Sequence, residues 1–331
     1  MAEEEAKPTI PTGLNYSLRG FESEEAARAF ADLLQALLAA ISRSIDLTRL
    51  DGVTVAYDYG EALAGLDRGM QGLAPLTATS ELYATGVAMT PTVMRNGVPK
   101  SHMVLNAQVA RAIEQEEMDL DVVYLIAHEC GHVHDLRVRD EAFPGLILQK
   151  SYANIYDSLF KSISAACWDE FAACSLSAHL SAANTTPHLA EVFIEATREA
   201  QQKFRDRIKD YRVHADLNQL VAETGALYGN VLKYASYLLG HLHGLGQSLD
   251  DCPSVLEFLQ DHWSASYILR LDQTLRLLMS RYGEWADISE FDEIVLIADD
   301  LFSDEGIEIT KSTDTDCYIN VPFSFETMPD A

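Results

Sequence analysis

The stretch "YLIAHECGHVHD", residues 124–135, decides the fold prediction for this chain. Side chains four residues apart lie on one face of an α-helix, so a helix here would present His128 and His132 in the same direction. Imidazole nitrogens at that spacing can both come within about 2 Å of one zinc ion. Glu129 lies about 100° further round the helix, where its carboxylate could accept a proton from a zinc-activated water. The stretch therefore predicts a helix that carries two zinc ligands and a general base.

A catalytic zinc site needs a third protein ligand in addition to the two histidines. The metzincin arrangement would require Gly and His where this chain has Asp135 and Val138, so that class is excluded. The segment "SAACWDEFAACSLSAHL", residues 164–180, offers Glu170 instead, on a mostly apolar helical stripe. That stripe consists of Ile163, Cys167, Glu170 and Cys174. Because a carboxylate that faces a core is costly unless it is paired or metal-bound, Glu170 is the favoured ligand, with Asp169 as the alternative.

The motif "HECGH" followed by "WDEFAA" resembles the gluzincin group of zinc peptidases. More narrowly, residues 50–185 are similar to the small cytoplasmic zincins of the ImmA/IrrE type. The resemblance implies a zincin-like core with Zn²⁺ as its cofactor. It also implies that His128, His132 and Glu170 are the metal ligands and that Glu129 is the general base.

The same resemblance implies where a substrate binds. It suggests that "SHMVLNAQVA", residues 101–110, is an edge strand along which an extended peptide could pair. This chain departs from many gluzincins at the position four residues after the third ligand, where they have an acid and this sequence has Cys174. Metal-bound histidines usually need a hydrogen-bond partner on their other nitrogen, so the partner of each histidine is left open by the sequence.

The chain of 331 residues is predicted to have an α+β fold in three regions. Residues 1–15 are predicted to be a flexible acidic tail, and residues 16–185 a zincin-like metallopeptidase core. That core combines a small sheet with the HExxH helix and the helix that carries the glutamate. Residues 186–331 are predicted to form a mostly helical region with a small β tail.

Local patterns predict the individual elements. Hydrophobic periodicity indicates helices over residues 22–45, 120–134, 151–182, 187–212, 216–243, 253–262 and 265–282. The segment "GVTVAYDYGEAL" is typical of a strand that runs into a helix. Asn96-Gly97 permits the positive φ angles of a tight turn and predicts a β-hairpin over residues 85–108. After residue 290, "EIVLIA", "GIEITKS" and "DCYINVPF" predict short strands.

Composition narrows the class of partner. The chain carries 51 Asp and Glu against 24 Lys and Arg, a formal charge of −27. Such a surface repels phosphate backbones, so nucleic acid is not an expected partner. No apolar run reaches the roughly 18 residues of a membrane span, and the first residues lack the pattern of a secretory signal. Five cysteines without a CxxC pair indicate reduced thiols, so we expect a cytoplasmic protein. The expected partner is a protein or peptide substrate.

The sequence thus predicts a zinc-dependent metallopeptidase. The alternative is a non-catalytic zincin-fold module that binds zinc for structure or regulation and interacts with a partner protein. His134 is expected near the end of its helix. Asp135 and Asp140 are expected to be solvated loop acids or, as the alternative, acceptors that orient the ligands. Candidates to stabilise an oxyanion are Tyr234, Tyr237, His241 and His243.

Overall fold

The computed structural model describes residues 6–78, 80–81, 84–148 and 152–328. The fold is mixed α+β, about 59% helical, with a small sheet and a helical C-terminal region, which confirms the predicted class. Its contacts define two units. The first comprises Met1–Leu148 and Ala172–Thr185, and the second comprises Gln149–Phe171 and Thr186–Ala331.

The first unit combines short strands with helices. Its strands are β1 (Asn15–Arg19), β2 (Leu50–Ala56), β3 (Ser80–Glu81), β4 (Ala84–Thr85), β5 (Ala88–Met89), β6 (Thr92–Arg95) and β7 (Val98–Asn106). Its helices are α1 (Glu24–Ile41), α2 (Tyr59–Ala64), α3 (Ala107–Ala110) and α4 (Leu120–Ala142). Helix α5 (Ile155–Ser177) contributes to both units, because the boundary falls after Phe171.

The main sheet has the strand order β1-β2-β7-β5, and β6 also pairs with β7. Strands β1, β2 and β7 run parallel, whereas β5 and β6 are antiparallel to β7. Strand β7 is therefore internal, and the predicted edge strand over residues 101–110 is wrong. The turn at Asn96-Gly97, with φ of 53° and 78°, folds β6 back onto β7 and covers its second edge. A hairpin is therefore present within the predicted range 85–108, and it is shorter than predicted, with strands Thr92–Arg95 and Val98–Asn106.

Helix α1 covers one face of this sheet. Ser23 caps it by accepting a hydrogen bond from the Ala26 N–H at 3.1 Å. The buried stripe repeats every three or four residues and consists of Phe30, Leu34, Leu38 and Ile41. It packs in one core cluster with side chains of β2 and β7, including Val53, Val55, Met103 and Leu105. Burial of such side chains stabilises a fold by about 1.5–3 kcal/mol each.

Part of the predicted N-terminal tail is attached to the first unit. The Thr9 hydroxyl donates to the Ser42 carbonyl at 2.9 Å and accepts from the Leu47 N–H at 2.9 Å. Strand β1 begins at Asn15, which aligns with Gly52 of β2. The flexible tail predicted over residues 1–15 therefore does not extend over residues 9–15, and residues 1–5 lie outside the described residues.

The second unit is mainly helical. Its further elements are α6 (Thr185–Arg198), α7 (Ala200–His214), α8 (Leu217–Gly244), α9 (Pro253–Leu259), α10 (Ala265–Met279), α11 (Asp292–Asp304), β8 (Glu308–Lys311) and β9 (Cys317–Asn320). The helix predicted over residues 187–212 is interrupted at Glu199. Strands β8 and β9 form the predicted small antiparallel sheet. No helix among the described residues is both long enough and apolar enough to cross a membrane.

The predicted strand "EIVLIA" is wrong, because these residues lie within α11. A short run of β-branched residues does not distinguish a strand from a buried helix. Asp292 and Glu293 occupy the first turn, where the helix dipole favours acids. The buried positions then follow the helical period through Ile294, Ile297, Ala298 and Leu301.

Candidate metal centre

Helix α4 holds the "HECGH" motif inside the core of the first unit. Asp119 begins the helix by accepting a hydrogen bond from the Asp121 N–H at 2.9 Å. The buried apolar side chains of α4 belong to the same core cluster as those of α1, β2 and β7. They are Val122, Ile126, Ala127, Cys130 and Val133. His128 and Glu129 are only 7% and 5% exposed. The motif is thus built on a rigid, packed element rather than on a loop.

The two histidines converge as the helical spacing predicts. Nε2 of His128 and Nε2 of His132 lie 3.1 Å apart, and the rings meet edge to face. Two nitrogens that each lie about 2 Å from a tetrahedral zinc are separated by about 3.3 Å. The Nε2 atoms are therefore the nitrogens that would face a shared metal ion.

The third candidate ligand comes from α5. Gly131 lets α5 approach closely, because a Cβ at this position would lie 2.8 Å from the Cα and the carbonyl oxygen of Ala173. Glu170 stands three residues before Ala173 in the same continuous helix. One ligand atom each from His128, His132 and Glu170 lies within 4.8 Å of the other two. Among the described residues, the structure brings these three metal-ligating side chains together. Asp169 does not belong to this group.

This donor set fits zinc. Two imidazole nitrogens and one carboxylate oxygen are the ligands of one well-known class of catalytic zinc site, in which the fourth position stays open. The half-buried carboxylate of Glu170, close to both imidazoles, would also balance part of the charge of a divalent cation. The residues are therefore suited to bind Zn²⁺ with one position available for water or substrate.

Glu129 is held by a residue that the sequence analysis missed. The hydroxyl of Thr90, in the loop between β5 and β6, donates to Oε2 of Glu129 at 2.6 Å. The phenol of Tyr59 lies close enough for the negative charge of Glu129 to add to the effect of burial, and both raise the pKa of that phenol. No local pattern marks Thr90, because its contact spans 39 residues of sequence.

Each acidic candidate to orient the ligands forms an ion pair with an arginine. Asp135 forms an ion pair with Arg139 at 2.6 Å, and Asp140 forms one with Arg49 at 3.3 Å. Cys174 also contacts a proposed ligand, since its Sγ lies 3.5 Å from Nδ1 of His128. A thiol of α5 therefore lies against the nitrogen of His128 that is not the one facing His132.

His134 serves the fold of the first unit. Its Nδ1 accepts a hydrogen bond from the backbone N–H of Asp46 at 2.9 Å, which fixes the loop after α1. The expectation that it lies near the end of its helix is wrong, since α4 continues to Ala142. Burial lowers the pKa of His134, so its imidazole is neutral near pH 7 and can accept this hydrogen bond.

The candidates to stabilise an oxyanion lie on α8 in the second unit. Gly240 packs on α5, since a Cβ there would lie 2.3 Å from the carbonyl oxygen of Phe171. The ring of His243 contacts the ring of Phe171 at 5.5 Å. His241 is fully buried, and burial lowers its pKa to about 4, so this imidazole is neutral at pH 7. The rings of Tyr234 and Tyr237 stack at 6.2 Å.

Gly131→Ala is expected to destabilise the protein by about 1–3 kcal/mol and to weaken zinc binding, because the new methyl would push α5 away from α4. Denaturant unfolding of the metal-free protein and zinc titration measure the two effects. Gly229→Ala is the matched control, since its Cβ would lie 3.3 Å from the side chain of Ile163, which can adjust. Wild-type stability and zinc affinity in Gly131→Ala would contradict the close approach of these helices.

Comparison of the chain with known proteins gives no relative. No protein-family model, no curated protein and no solved structure matches it. The function must therefore be inferred from the site itself.

Proposed function

We propose that this protein is a zinc-dependent metallopeptidase of the gluzincin type. The observation that carries the proposal is the convergence of His128, His132 and Glu170 within 4.8 Å, with Glu129 on the next position of the same helix. A purely structural zinc site is closed by four protein ligands and has no use for an adjacent carboxylate. The sheet with its HExxH helix and its glutamate helix also supports a zincin-like core.

The chemistry assigns a role to each side chain. Zinc, when bound, supplies a Lewis acid for the scissile carbonyl and for the attacking water. Glu129 accepts a proton from that water and then donates it to the nitrogen of the leaving amine. Thr90 holds Oε2 of Glu129 and so restricts the orientation of the carboxylate. Fixing the base in this way lowers the entropy cost of proton transfer.

The substrate in this proposal is an extended segment of protein or peptide. Since β7 is internal, the substrate would pair with the outer edge of the β5 segment, for which the described residues show no other strand partner. The outer edge of β6 is covered, because the Met94 N–H donates to the Arg68 carbonyl at 2.8 Å and Nε of Arg68 donates to the Thr92 carbonyl at 3.1 Å, so the β5 segment is the edge that remains. This segment also carries Thr90, so it brings a bound backbone close to the general base. We propose a cytoplasmic location with neither nucleic acid nor a membrane as partner, which the acidic charge and the free cysteines support.

Metal removal tests the proposed function. Protein purified without chelator is expected to contain about one zinc per chain by elemental analysis. It should cleave members of a mixed peptide library, as followed by mass spectrometry, and cleavage should stop after chelation and return with added zinc. Zinc binding without any cleavage would favour the non-catalytic regulatory module instead. Absence of zinc would overturn both the peptidase and the zinc-binding module.

A further inference from the structure

Cys174 lies one helical turn after Glu170 on α5 and is 1% exposed. Its Sγ approaches Nδ1 of His128 to 3.5 Å, a distance at which sulfur takes part in hydrogen bonds. Both residues belong to the first unit, and the contact joins segments 46 residues apart in sequence. The two side chains thus form a buried contact between α4 and α5.

Metal binding through Nε2 would define the tautomer of His128. Its Nε2 faces Nε2 of His132 at 3.1 Å and is the nitrogen on the side of the proposed metal. A neutral imidazole that offers Nε2 as a ligand must carry its proton on Nδ1. With the proton on Nδ1, the imidazole N–H would donate to Sγ of Cys174 at 3.5 Å and the sulfur would accept.

We propose that Cys174 is the positioning residue for His128, and that its thiol, in place of a stronger acceptor, sets the zinc affinity of the site. This inference rests on the metal centre of the proposed function. Partners of this kind fix the ring and raise the basicity of a ligating histidine, and their loss costs about 10- to 100-fold in metal affinity. Sulfur in a thiol is a weak acceptor, so a carboxylate at this position would hold the N–H more strongly.

The chain provides a matched control in Cys167. This thiol is also fully buried on α5, two turns before Cys174. Its hydrogen-bond partner is the side chain of Ser236 on α8, and burial raises its pKa to about 12. Removal of Cys167 therefore deletes a buried thiol from the same helix without deleting the contact to His128.

The test compares zinc dissociation constants, measured by competition with a chromophoric chelator. Cys174→Ala is expected to bind zinc about 10-fold more weakly than the wild type, and Cys174→Asp about 10-fold more tightly. Cys167→Ala should remain within about twofold of the wild type. Thermal unfolding of each metal-free variant shows whether a change in zinc affinity results from loss of the folded structure. If Cys174→Asp does not fold, the zinc dissociation constants of Cys174→Ala and Cys167→Ala still show whether Cys174 positions His128.

A second measurement reports the tautomer directly. Long-range ¹H–¹⁵N spectra of the metal-free protein are expected to show His128 protonated on Nδ1, and this preference should weaken in Cys174→Ala but not in Cys167→Ala. Zinc affinities of both Cys174 variants within twofold of the wild type would overturn the inference and leave the proposed peptidase intact. Failure of the wild type to bind zinc would overturn both.

Discussion

Glu129→Gln is expected to lower peptide hydrolysis by at least about 100-fold while the zinc content stays unchanged. The amide keeps the size of the side chain and can still accept the hydrogen bond from Thr90, but it cannot accept a proton from water. Zinc content should not change because Glu129 is not one of the three residues whose ligand atoms converge. Cleavage rates on a responsive library peptide and elemental analysis of the same samples measure the two properties.

The same helix provides the control for this prediction. Glu141→Gln alters an exposed carboxylate on α4 whose partner is Arg137, and it should retain wild-type hydrolysis. An exposed ion pair of this kind contributes about 0–1 kcal/mol to stability, so the fold is not affected. Wild-type cleavage by Glu129→Gln would remove the general base from the mechanism and with it the proposed peptidase chemistry.

Glu170→Ala is expected to reduce the zinc content from about one per chain to a small fraction of that value, whereas Asp169→Ala should retain it. The reason is geometric, because a ligand atom of Glu170 lies within 4.8 Å of those of both histidines and Asp169 is not in that group. Elemental analysis after dialysis against a weak chelator compares the two variants with the wild type.

Asp169→Ala is the matched control for Glu170→Ala, since it removes the adjacent carboxylate from the same turn of α5. Zinc binding to the folded state also raises stability, by about 4 kcal/mol when the free metal is 1,000 times the dissociation constant. Added zinc should therefore raise the melting temperature of the wild type and of Asp169→Ala, but not that of Glu170→Ala. Loss of zinc in Asp169→Ala with retention in Glu170→Ala would reverse the assignment of the third ligand.

Features that depend on neighbours in sequence were predictable. The i, i+4 spacing of His128 and His132 specifies that both rings share a helix face, and the structure brings their Nε2 atoms to 3.1 Å. Asn96-Gly97 specifies a tight turn because both residues accept positive φ, and the hairpin is present. The stripe of α1 likewise follows from helical periodicity.

Features that depend on pairing across the chain were missed. Strand β7 has the composition of any half-buried strand, and its position between β2 and β6 depends on which segments return to pair with it. The run "EIVLIA" is apolar enough for either a strand or a buried helix. Its packing within the second unit favours the helix.

The sequence alone determined the α+β class, the HExxH helix and the two histidines that share its face, because each depends on a local period or a local dihedral preference. Only the tertiary structure decided that Glu170 rather than Asp169 joins them, that Thr90 binds Glu129, and that Cys174 contacts His128. These contacts span 38 or more residues, for example 39 for Thr90 and 46 for Cys174. The positions of Glu170 and Cys174 depend on how closely α4 and α5 approach at Gly131, and a sequence period does not encode that distance.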